Sequence, residues 1–461
     1  MKRTITFKTT LSAVMTFVFM LAAVIGMLAP ATAKAEEAAP TNDLVIDEVT
    51  GEVLSMRDEY TQAFMQEDGQ IKVYSYTVPV FYRDANKELV EIDGTLVKSE
   101  NEKYAYTNKA NNVKTYLADI ITDEKPVMMT YGNAAITVSP VNAASSKATV
   151  LTEDTEYKYD TGKGNLFADE TALYRDTYKD ADLAITTSNV GMRQNLILKN
   201  ADAKNTYLFE IGIKNVTAVS ENGMVVFVNR MNEVVFKLCA PTAIDAEGNH
   251  SDGTFEIVRE NEDSVIVRMA LDSEFLDNEA VYPVTTSMIY STRSINNPTL
   301  DVYTVPSNHL PTWQVWNGSY LSIDAAGVYK IYTSFEEPVD TYVSTAYLCF
   351  TVESSSSNVS PYRIRTWGCL NYFTKTTLKY IEPSLTSISR YVNATGSGVY
   401  STDVDDLINA QINGPAGMVY GFCTRYSPLS SQPLPSGATA FYATEYGNQL
   451  LAPYLMYTIA S

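Results

Sequence analysis

The chain has 461 residues, with 34 Lys and Arg against 54 Asp and Glu and a formal net charge of −20. An acid excess of this size argues against nucleic acid, anionic membrane surfaces and teichoic-type polymers as partners. Two histidines, His250 and His309, leave little material for zinc sites or Ser-His-Asp triads, and neither adjoins a nucleophile-elbow motif.

In chain order, Lys2, Arg3 and Lys8 precede an apolar run over 11–28 that ends at Pro30, and Ala33-Lys34-Ala35 follows. Positive flank, apolar stretch and small residues at the cleavage positions make 1–35 a signal peptide cut before Glu36. The expected location is secreted or extracellular, with non-covalent wall association open, because no later run is apolar enough to span a membrane. Residues 36–55 read as a linker.

From 56 to 295 the chain shows short runs of Val, Ile, Thr, Tyr and Phe between Asn, Asp and Gly, which predicts strands rather than helices. One hairpin is expected from 71–82 through a turn at 84–87 to 89–92. A second joins Met224–Val228 to 233–238 across the polar turn 229–232. The 32 tyrosines suit half-buried pleated surfaces. Near 295 the composition shifts from Asp, Glu and Lys to Ser, Thr, Asn and Tyr, which places a domain boundary there and a second module over 298–460. Within it, Asp403 can cap a short helix running through Ile412, with Asp405 and Asp406 favouring its N-terminal end and Gly414-Pro415 stopping it. Cys239, Cys349, Cys369 and Cys423 are expected mainly as buried thiols, with one bridge among the last three as the alternative.

The segment from Met56, MRDEYTQAFMQEDGQIKVYSYTVPVFYRDANKELVEID, resembles the N-terminal region of secreted Gram-positive proteins of the wall-associated Rhs/YD-repeat kind and of DNRLRE domain-containing proteins. YRDTYKDADLAITTSNVGMRQNLILKN from Tyr174, FKLCAPTAIDAEGN from Phe236 and VYPVTTS from Val281 agree with that region in order. LDVYTV from Leu300, TAYLCFTV from Thr345 and the STDVDDLINAQI helix resemble a DNRLRE-type jelly roll similar to carbohydrate-binding modules. The resemblance implies an all-β fold, with a β-rich N-terminal module followed by a C-terminal jelly-roll β-sandwich.

Trp313, Trp316 and Tyr320 lie in a stretch peculiar to this chain, and exposed rings there can stack on sugars or anchor a protein. Edge packing of the sandwich is the plainer explanation of them, because Trp is usually largely buried. Asp301, Asp403, Asp405 and Asp406 can supply oxygens to calcium, although their spacing lacks a complete calcium loop. No other cofactor is implied. Together these readings describe a secreted, non-catalytic binding or structural protein of the cell surface or wall. Its expected partner is a cell-wall or other polysaccharide, or a surface protein, and not nucleic acid. Two alternatives stand beside it. One is a polysaccharide-degrading enzyme with two carboxylates converging in a cleft. The other is a payload-free relative of a wall-associated toxin-delivery protein.

Overall fold

A computed structural model describes residues 2–5, 44–122, 126–160, 166–292 and parts of 300–460. The fold is all-β, built of sheets that pack in two sandwiches. In the first, one sheet runs in the order 254–260, 264–270, 206–214, 134–140, 127–131, 113–117, 106–110 and 93–98. The facing sheet runs 120–121, 146–150, 171–178, 181–188, 191–198, 284–291, 234–238, 224–228 and 217–221, with 242–244 also pairing to 284–291. Val113–Leu117 alternates buried with half-buried residues, as a strand with one covered face must. Ala181–Ser188 and Gly191–Leu198 are buried at every position because both of their faces are covered. On one side lies the main core of Tyr174, Leu183, Phe209, Phe227 and Phe236; on the other lies a smaller cluster of Leu151, Tyr157, Leu173, Ala184 and Ile197. Packing at the sheet centre is close enough to require glycine. A Cβ at Gly191 would stand 1.9 Å from the Tyr290 carbonyl oxygen.

The second sandwich sets one sheet, ordered 313–316, 300–306, 330–334, 421–426, 362–369 and 390–394, against another, ordered 320–324, 438–442, 343–355, 454–459, 71–76 and 61–65. Its core holds Leu321, Ile331, Leu348, Phe350, Ile364, Phe422 and Phe441. The last two strands come from the start of the chain. Tyr454–Ile459 would be an edge, with its N–H and C=O groups open to unwanted pairing. Ile71–Tyr76 pairs along its whole length, from Tyr454 with Tyr76 to Ile459 with Ile71. Val53, Ala63, Ile71 and Val73 then form a small core beneath, against Tyr457 and Ile459.

Expectation and structure meet at several points. The hairpin at Met224–Val228 and Val234–Leu238 is present, and Asn232 supplies the left-handed residue of its turn at φ 61°. The hairpin drawn from 71–82 keeps its turn, where Phe81–Arg83 pairs with Leu89–Glu91, but its first arm breaks after Tyr76. Thr77 is the hinge: its N–H and hydroxyl both donate to the Pro453 carbonyl, and Pro79 offers the ladder no donor. The helix at Asp405–Ile412 is present. All four cysteines are buried and none forms a disulfide. Of the expected signal segment only Lys2–Ile5 is described, as a strand paired with Leu44–Asp47; its apolar run and cleavage point, and the boundary at 295, lie outside the described residues. The hairpin at 61–76 belongs by sequence to the expected first module and by pairing to the second sandwich.

Candidate functional site

The residues singled out by sequence do not assemble. Trp313–Trp316 pairs with Tyr303–Pro306 in one sheet, whereas Tyr320 begins a strand of the other and pairs with Tyr442. The side chains of Trp313, Trp316, Tyr320 and Asp301 lie outside the described residues, as does all of His309. By backbone, Asp301 sits opposite Thr333 in the first of these sheets and Asp403 opposite Tyr347 in the second. Asp403 accepts the Asp405 N–H at 3.3 Å in a turn just before the helix, whose first carbonyl acceptor is Val404, and Asp406 is ion-paired with Arg390. Among the described residues no group of three or more His, Cys, Asp or Glu is placed to hold a metal. Burial holds His250 below the usual imidazole value, so it is neutral at pH 7. Burial pushes the Cys423 thiol up to about 12 and raises Cys369 as well, which removes both as thiolate nucleophiles.

A different set of residues does assemble, on the outer face of the sheet containing Tyr362–Cys369. Alternation along that strand turns Ile364, Thr366 and Gly368 toward the core and Arg363, Arg365 and Trp367 outward. The neighbouring strands continue the outer row. Arg425 lies directly opposite Arg365 on one side and Tyr391 on the other. The Arg363 guanidinium sits 4.1 Å from the centre of the Tyr391 ring. Arg425 and Arg365 sit 4.5 and 5.8 Å from the centre of the Trp367 ring. Continuing the register brings Lys330 level with Arg425, and Lys330 is held by Glu382 at 2.6 Å.

Two properties set this face apart. Like charges placed directly opposite each other in a sheet are destabilising, so the Arg365–Arg425 pair costs the fold something. Among the described residues none of Arg363, Arg365 and Arg425 is ion-paired to a carboxylate, and the buried Nε groups of Arg363 and Arg365 have no hydrogen-bond partner. The other end of the same face is closed. There the segment 370–386 packs Phe373, Leu378 and Leu385 over Tyr332, Cys369 and Cys423. Tyr391 is left 52% exposed at the open end.

Cations and rings also meet in the first sandwich, in a closed arrangement. The Tyr157 hydroxyl donates to Asp182 at 2.6 Å, the Asp176 N–H donates to the same carboxylate at 2.6 Å, and Lys199 reaches Asp182 at 2.6 Å and Asp176 at 2.5 Å. A bulge between Tyr174 and Tyr178, with Asp176 at φ 52°, turns that N–H inward. Burial, with the Asp182 carboxylate beside it, pushes the Tyr157 hydroxyl far up. Burial alone would lower Lys199, but its hydrogen bonds to Asp176 and Asp182 win and hold it above the usual lysine value. Every charge here is used internally. A depression of about 330 Å³ elsewhere, lined by Asp202, Lys204, Asn205 and Asp277, brings together neither a histidine nor an aromatic ring.

The chain is similar to tRNA nucleases. It is 25% identical over 307 residues to the tRNA3(Ser)-specific nuclease WapA of Bacillus spizizenii, which covers 64% of this chain and 13% of that protein. It is 26% identical over 302 residues to the tRNA(Glu)-specific nuclease WapA of Bacillus subtilis subsp. natto, and 25% identical over 302 residues to the tRNA nuclease WapA of Bacillus subtilis. In both cases the match covers 62% of this chain and 12% of the relative. The chain therefore spans about an eighth of the length of the curated relatives it matches. No protein-family model matches the chain, so the resemblance to DNRLRE domain-containing proteins is not upheld. The relatives are enzymes that act on nucleic acid. That overturns the expectation of a non-catalytic binding or structural protein with no nucleic-acid partner.

The arginine face was within reach of the sequence. YRIRTW carries Arg, Arg and Trp at every second position, and TRY repeats the pattern on the paired strand. Net charge, a property of the whole chain, hid a property of one sheet face. No helix among the described residues is long and apolar enough to cross a membrane.

Proposed function

We propose that this chain works outside the cell, associated with the wall, as part of a tRNA-directed nuclease system of the WapA kind. The observation that carries the reading is similarity across 62–64% of the chain to three proteins, all named as tRNA nucleases. Identity is 25–26% whether the relative is named for a serine or a glutamate tRNA. The matched stretch thus tracks what these nucleases share, and not which tRNA each one cuts. The N-terminal sequence pattern supports export, and the charge excess suits a soluble surface protein.

The test compares wall extracts from cells that make the full protein with extracts from cells lacking its gene, each incubated with total tRNA. The reading expects tRNA fragments with discrete ends that disappear with the gene. Fragment patterns identical in the two extracts would overturn it.

A further inference from the structure

We propose that the outer sheet face bearing Arg363, Arg365, Trp367, Tyr391 and Arg425 is a binding site for single-stranded RNA. The anion-and-ring character of the site rests on its geometry alone; the choice of RNA among phosphodiester polymers rests on the nuclease reading above. Strands in a sheet lie about 4.8 Å apart, so Arg365 and Arg425, directly opposite each other, present two guanidinium groups at a spacing that one bent phosphodiester backbone can follow. Arg363 lies two residues along the same strand. Guanidinium groups fork onto phosphate oxygens in pairs of hydrogen bonds, and among the described residues no carboxylate takes that place on Arg363, Arg365 or Arg425.

The rings decide between RNA and a plain polyanion. Tyr391 is the more exposed ring and has Arg363 stacked on it, which leaves a platform for an unstacked base. Trp367 has the Arg425 guanidinium 4.5 Å and that of Arg365 5.8 Å from its ring centre, and guanidinium planes are the second surface on which bases stack. A teichoic-type or sulfated polymer offers charge but nothing planar. The overall charge of −20 does not cancel the site, because charges beyond about 8–10 Å are screened at physiological salt. Local compensation counts, and Glu382 spends its charge on Lys330.

Fluorescence anisotropy of the full chain with a labelled single-stranded RNA, total tRNA, and a base-free poly(glycerol phosphate) of matched charge tests the proposal. Wild type is expected to prefer the RNAs, Arg365→Ala/Arg425→Ala to lose tenfold or more in RNA affinity, and Tyr391→Ala to lose RNA affinity while leaving poly(glycerol phosphate) unchanged. Tyr391 is exposed and outside both cores, so that variant folds even if the arginine pair is disturbed. Equal affinity for RNA and poly(glycerol phosphate), RNA binding indifferent to all three substitutions, or no RNA binding would each overturn the proposal. The tRNA cleavage comparison separates this from the nuclease reading. Cleavage that persists in the arginine variant with RNA binding lost leaves that reading standing and makes this face a binding site that cleavage does not require.

Discussion

Two of the places where basic side chains lie against aromatic rings differ in what neutralises the cation. In the first sandwich, Lys199 stacks beside Tyr159 and is tied to two carboxylates, and the same Asp182 that holds it also takes the Tyr157 hydroxyl. In the second, Arg363, Arg365 and Arg425 lie against Tyr391 and Trp367, and among the described residues none of the three is ion-paired to a carboxylate, Glu382 being held by Lys330. A closed cluster of this kind holds the fold together, because removing any partner strands a buried charge or hydroxyl. An open one carries a cost of like-charge opposition that an external anion relieves. Compensation, more than composition, separates a structural cluster from a binding surface.

The widest break in this comparison comes from Asp182→Ala. It leaves the Lys199 ammonium, the Tyr157 hydroxyl and the Asp176 N–H without their shared acceptor, and should cost about 3–5 kcal/mol in denaturant unfolding. A loss under about 1 kcal/mol would mean that the cluster does not hold the sheet. Lys199→Met should cost less, about 1–3 kcal/mol, because Tyr157 and the Asp176 N–H still satisfy Asp182.

Alkaline pH sharpens the contrast. Tyr157 and Lys199 both have folded values raised above their ordinary ones of 10.0 and 10.5. A raised folded value means that stability is fully present below the unfolded value and is lost as pH climbs past it. Above about pH 10 the closed cluster should therefore loosen, while the arginines keep their charge. The tyrosinate signal lost in a Tyr157→Phe variant should appear in wild type only together with the circular-dichroism change of unfolding. Its appearance at pH 10 in a folded protein would refute the buried placement of Tyr157.

Smallest in stability is Arg365→Ala/Arg425→Ala, expected to move unfolding by no more than about 0.5 kcal/mol. A loss on the scale of Asp182→Ala would make the arginine face structural and erase the distinction.

Particular elements show how far the sequence could be read. The hairpin over 224–238 was legible because Asn229 and Asn232 are turn residues between two apolar runs. The helix at Asp405–Ile412 was legible from its acidic first turn. Both are local. The strand Ile71–Tyr76 was recognisable as a strand, but its partner lies at the far end of the chain, and no periodicity within a window reports that pairing. The site choice failed for a related reason. Trp313, Trp316 and Tyr320 are close in sequence and their strands belong to different sheets, while Trp367, Arg425 and Tyr391 are far apart in sequence and meet on one face.

The most direct measurement of the central claim is the salt dependence of single-stranded RNA binding by wild type and by Arg365→Ala/Arg425→Ala. Each phosphate neutralised on a single strand contributes about −0.7 to the slope of log affinity against log salt, so three arginines predict a slope near about −2. The variant should keep only the part owed to Arg363. Identical slopes for the two proteins would show that these arginines meet no phosphate, and would contradict the account.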